Sequence, residues 1–258
     1  MKLVCPYDIL FRKTGQNGIA AVSVLMSCYK YGKEAGEALA SVLAQTEPIL
    51  DLMIVDDCSP DNSAELIEGW LANFGTDPRF ANISFVRHRT NQGLSCARNT
   101  ALALANTPYV FILDADNILF PRAIAVLREA VECSGYAMAF SLIAQFGGSV
   151  DIMGNSLWNP DQFRYGNYID AMALIRTDIL RRLGGYRSMP NRFGWEDYDL
   201  WCSFVDNGLV GCHVPQILCQ YRVHRRSMIR TTTNRFVADN LGIVREDLKA
   251  HHGLKFAF

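Results

Sequence analysis

YVFILDAD, residues 109–116, is an apolar run of strand-forming residues that ends in two acids two positions apart. LDLMIVDD (50–57) has the same form, and IAAVSVLM (19–26) and ISFVRH (83–88) are similar apolar runs. Continuous apolar runs of this length are typical of strands that are buried on both faces of a parallel sheet. We therefore predict four buried strands in the first half of the chain.

Segments with a helical spacing of apolar residues separate these strands. They are residues 34–45, a segment that starts after Pro60, and residues 91–105. Alternating strands and helices predict an α/β fold with an open, mostly parallel sheet and helices on both faces. Ligands of such sheets bind beyond the carboxyl ends of the strands. Four acids stand at those ends: Asp56, Asp57, Asp114 and Asp116.

The pattern changes on either side of this region. Residues 1–18 look irregular, and after about residue 121 the strand-like runs become shorter. Residues 178–183 are predicted as a short helix, which Gly184 and Gly185 would end in a left-handed conformation. Two further helices are predicted, at residues 195–207 and 234–251.

Composition limits the function classes. The 258 residues have a formal net charge of −1, which gives no electrostatic basis for general nucleic-acid binding. A local basic patch stays open at Arg222, Arg225, Arg226 and Arg230. Because the chain shows no apolar run of about 18 residues and no secretory signal, we predict a cytoplasmic protein, with peripheral membrane association left open. The eight cysteines include no Cys-x-x-Cys pair and are predicted to be free, buried thiols, which also favours a reducing cytoplasm.

Asp114 and Asp116 are candidates for a metal site. Alternate residues of a strand point to the same face, so their two carboxylates can converge on one ligand. Carboxylate and phosphate oxygens are the ligands that Mg²⁺ and Mn²⁺ prefer. The alternative is a surface turn, where Asp-x-Asp triplets are also frequent. The position at the end of an apolar strand favours the metal.

Asp56, Asp57 and Arg98 are candidates for nucleotide binding. The two acids can accept hydrogen bonds from a base and a ribose, or they can cap the following helix. Arg98 belongs to NQGLSCARN (91–99), a glycine turn that leads into a predicted helix start, where phosphate can bind. The alternative for Arg98 is a surface arginine.

Glu196 and Asp197 begin the helix predicted at residues 195–207. Acids at a helix start interact favourably with the helix dipole, and an acid held in a pocket can act as a general base. His224 ends a strand-like run and can either complete a metal site or be structural. The residues alone leave these alternatives open.

Five groups of motifs in this order resemble the family 2 glycosyltransferases, which have a GT-A fold. They are VSVLMSCYKYG (22–32), LAQTEPILDLMIVDDCSPDNS (43–63), NQGLSCARNTALALANTPYVFILDADN (91–117), ALIRTDILRRLGGY (173–186) with GWEDYDLW (194–201), and YRVH (221–224). The resemblance extends from about residue 19 to about residue 228. The chain departs from it at four positions where the family usually has Pro, Thr, Asn and Gly: Ser27, Cys28, Lys30 and Cys58.

The resemblance implies a role for each matching residue. Six would bind the nucleotide: Ser27, Tyr29, Asp56, Asp57, Arg98 and Asp114. Among these, Asp57 would meet the uracil and Arg98 the diphosphate. Three would hold a Mn²⁺ or Mg²⁺ ion: Asp116, Asp114 and His224. Two would be catalytic: Asp197 as the general base, and Glu196 beside it.

The resemblance also implies an activity, the inverting transfer of a hexosyl or N-acetylhexosaminyl group from a nucleotide-diphospho-sugar. The favoured donor is a UDP-sugar, and the acceptor is the hydroxyl of a saccharide or lipid-linked saccharide in polysaccharide biosynthesis. One continuous domain would contain four parts, namely an extension or linker (1–18), a nucleotide-sugar-binding half (19–120), a smaller acceptor-binding half (121–230) and a C-terminal helical tail (231–258). Two alternatives remain, a nucleotidyltransferase and a non-catalytic nucleotide-sugar-binding module. A dinucleotide oxidoreductase is disfavoured because its glycine motif is absent.

Overall fold

A computed structural model describes residues 5–15, 18–189, 194–224 and 234–257. Its strands are β1 (Tyr7–Thr14), β2 (Val22–Cys28), β3 (Leu50–Asp56), β4 (Phe80–His88), β5 (Tyr109–Asp114), β6 (Ile118–Leu119), β7 (Met138–Gly147), β8 (Ile152–Met153), β9 (Ala173–Arg176) and β10 (Gly211–Val223). Its α-helices are α1 (Gly32–Leu43), α2 (Ser63–Phe74), α3 (Leu94–Leu104), α4 (Ala123–Ser134), α5 (Thr177–Arg182), α6 (Glu196–Asp206) and α7 (Asn234–His251). A 3₁₀-helix spans Pro160–Arg164.

The described strands form one mixed sheet in the order β1-β4-β3-β2-β5-β9-β7-β10-β6, with β8 added to β7. Strands β2 to β5 pair in parallel, whereas β1 and β9 run antiparallel to β4 and β5. Strand β7 pairs antiparallel to β9 and parallel to β10. The predicted α/β fold with a mixed, mostly parallel sheet is therefore confirmed.

Two hydrophobic clusters cover the two faces of the sheet. Along β3 the side chains alternate between them, with Leu52 and Ile54 in one cluster and Met53 and Val55 in the other. Helices α1, α2 and α4 contribute to the first cluster, and α3, α5, α6 and α7 contribute to the second. Each buried aliphatic side chain contributes about 1.5–3 kcal/mol of transfer free energy, so both faces hold the sheet in place.

Two features of the N-terminal region correct the predictions. Residues 1–18 are not irregular throughout, because Tyr7–Thr14 pairs with β4 as an edge strand. Cys5 and Cys96 form a disulfide, so the prediction that all cysteines are free is wrong for this pair. Pairing of β1 with β4 brings the N-terminal segment to α3, and periodicity in the sequence cannot show such a distant contact.

Other details follow the predictions. Gly184 and Gly185 end α5 with positive φ angles of 91° and 77°, as expected for a left-handed helix end. Among the described residues, no helix is both long and apolar enough to cross a membrane. Three arginines of the basic patch that the sequence left open lie outside the described residues: Arg225, Arg226 and Arg230.

Candidate active site

The carboxyl ends of β2, β3 and β5 form the sheet edge at which the predicted site residues lie. Strand pairing places Ser27 opposite Asp114 and Cys28 opposite Asp56. The Ser27 hydroxyl donates a hydrogen bond to Asp114 Oδ1 at 3.2 Å. The chain builds the sheet outward in opposite directions from β2, and open α/β sheets bind their ligands at such a reversal.

Asp57 organises the loop before α3. Its carboxylate accepts the backbone N–H groups of Gln92 at 2.9 Å and Gly93 at 2.7 Å, and it lies 2.7 Å from His88 Nδ1. Gly93 has a φ of 91°, which glycine adopts without strain and which lets its N–H turn towards the acid. Asp57 thereby makes three of the roughly four hydrogen bonds that a carboxylate can accept.

Asp56 is fully buried beside it and organises the turn after β3. It accepts the backbone N–H of Ser59 at 3.0 Å and the hydroxyl of the same residue. Arg87 Nε lies 3.2 Å from Asp56 Oδ2, the oxygen that also accepts the Ser59 N–H. Burial raises the pKa of Asp56, and these partners oppose that rise. Tyr29, by contrast, is exposed, with Lys30 Nζ 4.9 Å from the centre of its ring.

Arg98 joins two parts of the site. Its guanidinium is 2% exposed and donates to Glu196 Oε1 at 2.5 Å and to Asp114 Oδ1 at 2.9 Å. Burial lowers the pKa of Arg98, but the charges of Asp114 and Glu196 outweigh burial and raise it. Arg98 is therefore a buried cation between the end of β5 and the start of α6, and the surface-arginine alternative is wrong.

Asp116 lies at the same edge, next to His224. His224 Nε2 is 3.1 Å from Asp116 Oδ2, and Arg222 Nε donates to the Asp116 carbonyl at 2.9 Å. Burial and the charge of Asp114 both raise the pKa of Asp116, because a second negative charge is unfavourable there. The Asp114 side chain keeps 28% of its surface exposed. This edge thus combines two carboxylates and an imidazole.

The side chains at this edge suit a divalent cation that also binds a phosphate group. The described residues contain no group of three or more His, Cys, Asp or Glu side chains that could hold a metal ion by themselves. Mg²⁺ needs less from the protein, because it usually takes one or two carboxylates and completes its shell with substrate phosphates and water. Asp114 and Asp116, with His224 alongside, fit that requirement, and the charge of Asp114 makes a second negative charge at Asp116 unfavourable.

Glu196 and Asp197 are held at the first turn of α6. Burial raises the pKa of Glu196 to about 7, although Arg98 acts in the opposite direction. Burial likewise raises the pKa of Asp197 to about 6, with Arg98 lowering it and Asp170 raising it further. Asp197 Oδ2 accepts a hydrogen bond from Asn167 Nδ2 at 2.9 Å. A carboxylate with a pKa near the working pH suits general-base chemistry.

Asp170 is an acid of this site that the sequence analysis did not identify. Because β9 runs antiparallel to β5, the residues just before β9 return to the edge where β5 ends. Burial raises the pKa of Asp170 to about 6, and the charges of Asp114 and Asp116 add to the rise. In the sequence, Asp170 is an acid shortly before the strand β9 (Ala173–Arg176). Its position in the site can be inferred only when the antiparallel direction of β9 is known.

Comparison with known proteins gives the family. The family model described as glycosyl transferase family 2 matches residues 23–189. The uncharacterized glycosyltransferase YibD of Escherichia coli (strain K12) is 30% identical over 234 residues, which cover 83% of this chain and 64% of that protein. The UDP-Glc:alpha-D-GlcNAc-diphosphoundecaprenol beta-1,3-glucosyltransferase WfaP of Escherichia coli is 24% identical, and the match covers 90% of this chain and 88% of WfaP.

Solved structures show the same architecture. TarS residues 1–349 from S. aureus, in complex with UDP-GlcNAc, align with a TM-score of 0.69 and 16% identity over 81% of this chain and 60% of that one. The mannosyltransferase PcManGT from Pyrobaculum calidifontis, in complex with GDP-Man and Mn²⁺, aligns with a TM-score of 0.63 and 19% identity over 86% of this chain and 62% of that one. This chain belongs to glycosyl transferase family 2, has a GT-A fold and is a glycosyltransferase.

Proposed function

We propose that the chain transfers a sugar from a UDP-sugar to an acceptor hydroxyl with inversion, and that the reaction depends on a divalent metal. The observation behind the proposal is the contact of Arg98 with both Asp114 and Glu196. This buried cation connects the strand end suited to a metal and a diphosphate with the helix start suited to a base. Donor and acceptor chemistry would therefore meet at one edge of the sheet.

Ser27, Tyr29, Asp56, Asp57, Arg98 and Asp114 are proposed to bind the nucleotide. The exposed ring of Tyr29 is available for stacking on a base. Asp57 has about one free acceptor position for an N–H of the base, since three hydrogen bonds are already made. Uridine is favoured because WfaP is named for UDP-Glc and TarS was solved with UDP-GlcNAc.

Mn²⁺ or Mg²⁺ is proposed to be held by three residues: Asp116, Asp114 and His224. When bound, such an ion neutralises charge on the leaving diphosphate, which is Lewis-acid chemistry. The pairing of His224 Nε2 with Asp116 Oδ2 at 3.1 Å supports this assignment, because both groups are metal ligands by type. PcManGT, a neighbour in fold, was solved with Mn²⁺.

Asp197 is proposed as the general base, with Glu196 holding Arg98 beside it. The Asp197 carboxylate would take the proton of the acceptor hydroxyl while that oxygen bonds to the anomeric carbon. The bond from that carbon to the diphosphate oxygen would break on the opposite side, which gives inversion. The hydrogen bond from Asn167 Nδ2 leaves Asp197 with acceptor capacity for this proton.

The acceptor is proposed to be a saccharide or a lipid-linked saccharide, because WfaP is named for a diphosphoundecaprenol-linked acceptor, and peripheral membrane association would follow from a lipid-linked acceptor. The cytoplasmic location is a prediction as well. One argument for it was that free thiols favour a reducing compartment. That argument does not hold for Cys5 and Cys96, because the two residues form a disulfide.

The test is the release of UDP from a panel of UDP-sugars by the full chain with Mn²⁺. Asp197→Asn should lower the rate about 10²–10⁴-fold, the usual contribution of a general base, and leave UDP affinity unchanged. Asp178→Asn is the matched control, since that side chain is 71% exposed. An unchanged rate in Asp197→Asn would refute the base assignment. Release of pyrophosphate from UTP would indicate a nucleotidyltransferase, and binding without turnover a binding module.

A further inference from the structure

A cluster of charged side chains connects the C-terminal helix to α6. We call it the C-terminal ion cluster. Its members are Arg187, Asp199, Asp206, Asp247 and His252. Most of it lies beyond residues 23–189, the part of the chain that the family model matches.

Arg187 is the first of its two cations. Arg187 Nη2 donates to Asp199 Oδ1 at 2.5 Å and to Asp247 Oδ2 at 2.7 Å, and its Nη1 donates to Asp247 Oδ1 at 3.1 Å. Asp199 belongs to α6 and Asp247 to α7. One guanidinium therefore joins two helices, and its paired contact with Asp247 fixes its orientation.

His252 is the second cation. Its Nε2 lies 2.9 Å from Asp199 Oδ1 and its Nδ1 lies 2.7 Å from Asp206 Oδ2, and the ring is 4% exposed. Ionised carboxylates only accept hydrogen bonds, so both ring nitrogens must carry a proton to satisfy both contacts. A neutral imidazole could make only one of them. The geometry therefore requires an imidazolium at residue 252.

The C-terminal ion cluster is connected to the candidate active site through the first turns of α6 and α3. Asp199 lies two residues after Asp197, in the first turn of α6. The carbonyl of Arg187 accepts the Ser95 hydroxyl at 2.9 Å, in the first turn of α3. Ser188 and Met189 line a small cavity between these two helix starts, together with Ser95 and Glu196. Movement of α6 would displace both Glu196 and Asp197.

We propose that His252 and Asp247 are positioning residues that hold α6 where Asp197 can take the acceptor proton, and that the hold depends on the protonation of His252. The proposal rests on the proposed role of Asp197. Apolar packing also fixes α7 against α6, because Val244 and Leu248 of α7 are fully buried in the hydrophobic cluster that contains Tyr198 of α6.

The direction of the pH dependence follows from the groups around the imidazole. The ring contacts Asp199 and Asp206 of α6, and the charges of these two acids also act on Cys202 in the same helix. Arg187 joins Asp199 to Asp247 of α7, and His251 lies 3.8 Å from Asp247. Burial lowers the pKa of His252, but Asp199 and Asp206 outweigh burial and raise it. The stabilisation is therefore fully present below the unfolded pKa of about 6.5 and is lost as the pH rises through the raised value.

Hydrogen exchange of the full chain, followed by mass spectrometry, tests the hold on α6. His252→Gln should make a peptide covering residues 194–206 exchange about tenfold faster at pH 6, relative to a peptide covering residues 63–74. In the wild type, the exchange rate of the 194–206 peptide relative to the 63–74 peptide should rise with pH, after both rates are corrected for the pH dependence of intrinsic amide exchange. Lys249→Gln is the matched control in α7, since that side chain is 46% exposed and pairs with Glu246 outside the cluster.

Kinetics with UDP-glucose and Mn²⁺ test the effect on the site. His252→Gln should lower kcat and leave the UDP dissociation constant unchanged, whereas Lys249→Gln should change neither. Asp206→Asn, which removes one partner of the ring, should show the same effects if His252→Gln folds poorly. Exchange equal to the wild type in His252→Gln and Asp206→Asn would overturn the proposal, as would an unchanged kcat. Absence of UDP binding and turnover in the wild type would instead refute the proposed function, and the exchange result would still decide whether the cluster holds α6.

Discussion

The acid pair at the end of β3 and the acid pair at the end of β5 look alike in sequence but differ in their surroundings. Asp56 and Asp57 are buried, and both accept backbone N–H groups. Among the described residues, the partners of Asp114 and Asp116 are mainly side chains, namely Arg98, Ser27 and His224, and the one backbone N–H that acts on Asp116 is its own. The first pair shapes loops, and the second is electrostatically suited to a cation.

Among the changes that test this difference, removal of Arg98, the partner of Asp114, should have the largest effect on the free energy of unfolding. Arg98→Met would leave Asp114 and Glu196 facing each other without the buried cation that pairs them. Breaking a buried ion pair from one side costs about 3–5 kcal/mol. Urea unfolding should show a loss of this size in the free energy of unfolding. Arg79→Met, at a pair that is 43% exposed on the arginine side, should cost far less. A loss as small as that of Arg79→Met would contradict the role of Arg98.

The two acid pairs can be compared directly by neutralising one member of each. Asp57→Asn should lower the free energy of unfolding by about 1–3 kcal/mol, because buried N–H donors of the loop lose an acceptor. Asp116→Asn should lower it less, since it also removes the repulsion with Asp114. Urea unfolding of both variants at pH 7 measures the difference. Equal losses would show that the two pairs do not differ in the way described.

The pH dependence of turnover examines the proposed general base, which Arg98 connects to the second acid pair. Asp197 must be ionised to accept a proton, and burial raises its pKa to about 6. The value of kcat/KM should therefore fall about tenfold per pH unit below that pKa. Glu196 lies beside Asp197, so the observed value belongs to both groups together. A rate that is constant down to pH 4.5 would exclude a base with a raised pKa.

Replacing Cys58, which directly follows the first acid pair, should have the smallest effect on stability. Its φ of 60° is left-handed, at a position where the family usually has glycine. Cys58→Gly should raise the free energy of unfolding by about 0.5–1 kcal/mol, because the strain of a left-handed side chain exceeds the entropic cost of glycine. Thermal unfolding checks this result. Cys133→Gly, in the right-handed helix α4, should have the opposite sign.

The sequence was sufficient for the order of strands and helices from β2 to β5 and for the sheet edge at which the acids lie. Apolar runs such as residues 50–57 and 109–116 predict buried strands, and parallel strands bring their carboxyl ends together. It was not sufficient for Asp170, because that acid joins the site only through the antiparallel direction of β9. Pairing direction depends on contacts across the whole chain.

The same limit applies to the two ends of the chain. Residues 7–14 have no strong alternation, and their strand forms by pairing with β4. The disulfide of Cys5 with Cys96 and the contact of His252 with Asp199 join residues that are distant in sequence. Local propensity contains no information on such contacts, so the sequence could predict the central sheet better than what borders it.

The most direct test of the central claim, that the second acid pair forms a metal-dependent donor site, is thermal stability with UDP in the presence and absence of Mn²⁺. At about 100 times the dissociation constant, a ligand should stabilise the fold by about 2.7 kcal/mol. The wild type should show this shift only when Mn²⁺ and UDP are both present, and Asp116→Asn should show none. A shift of equal size without metal, or one that persists in Asp116→Asn, would contradict the claim.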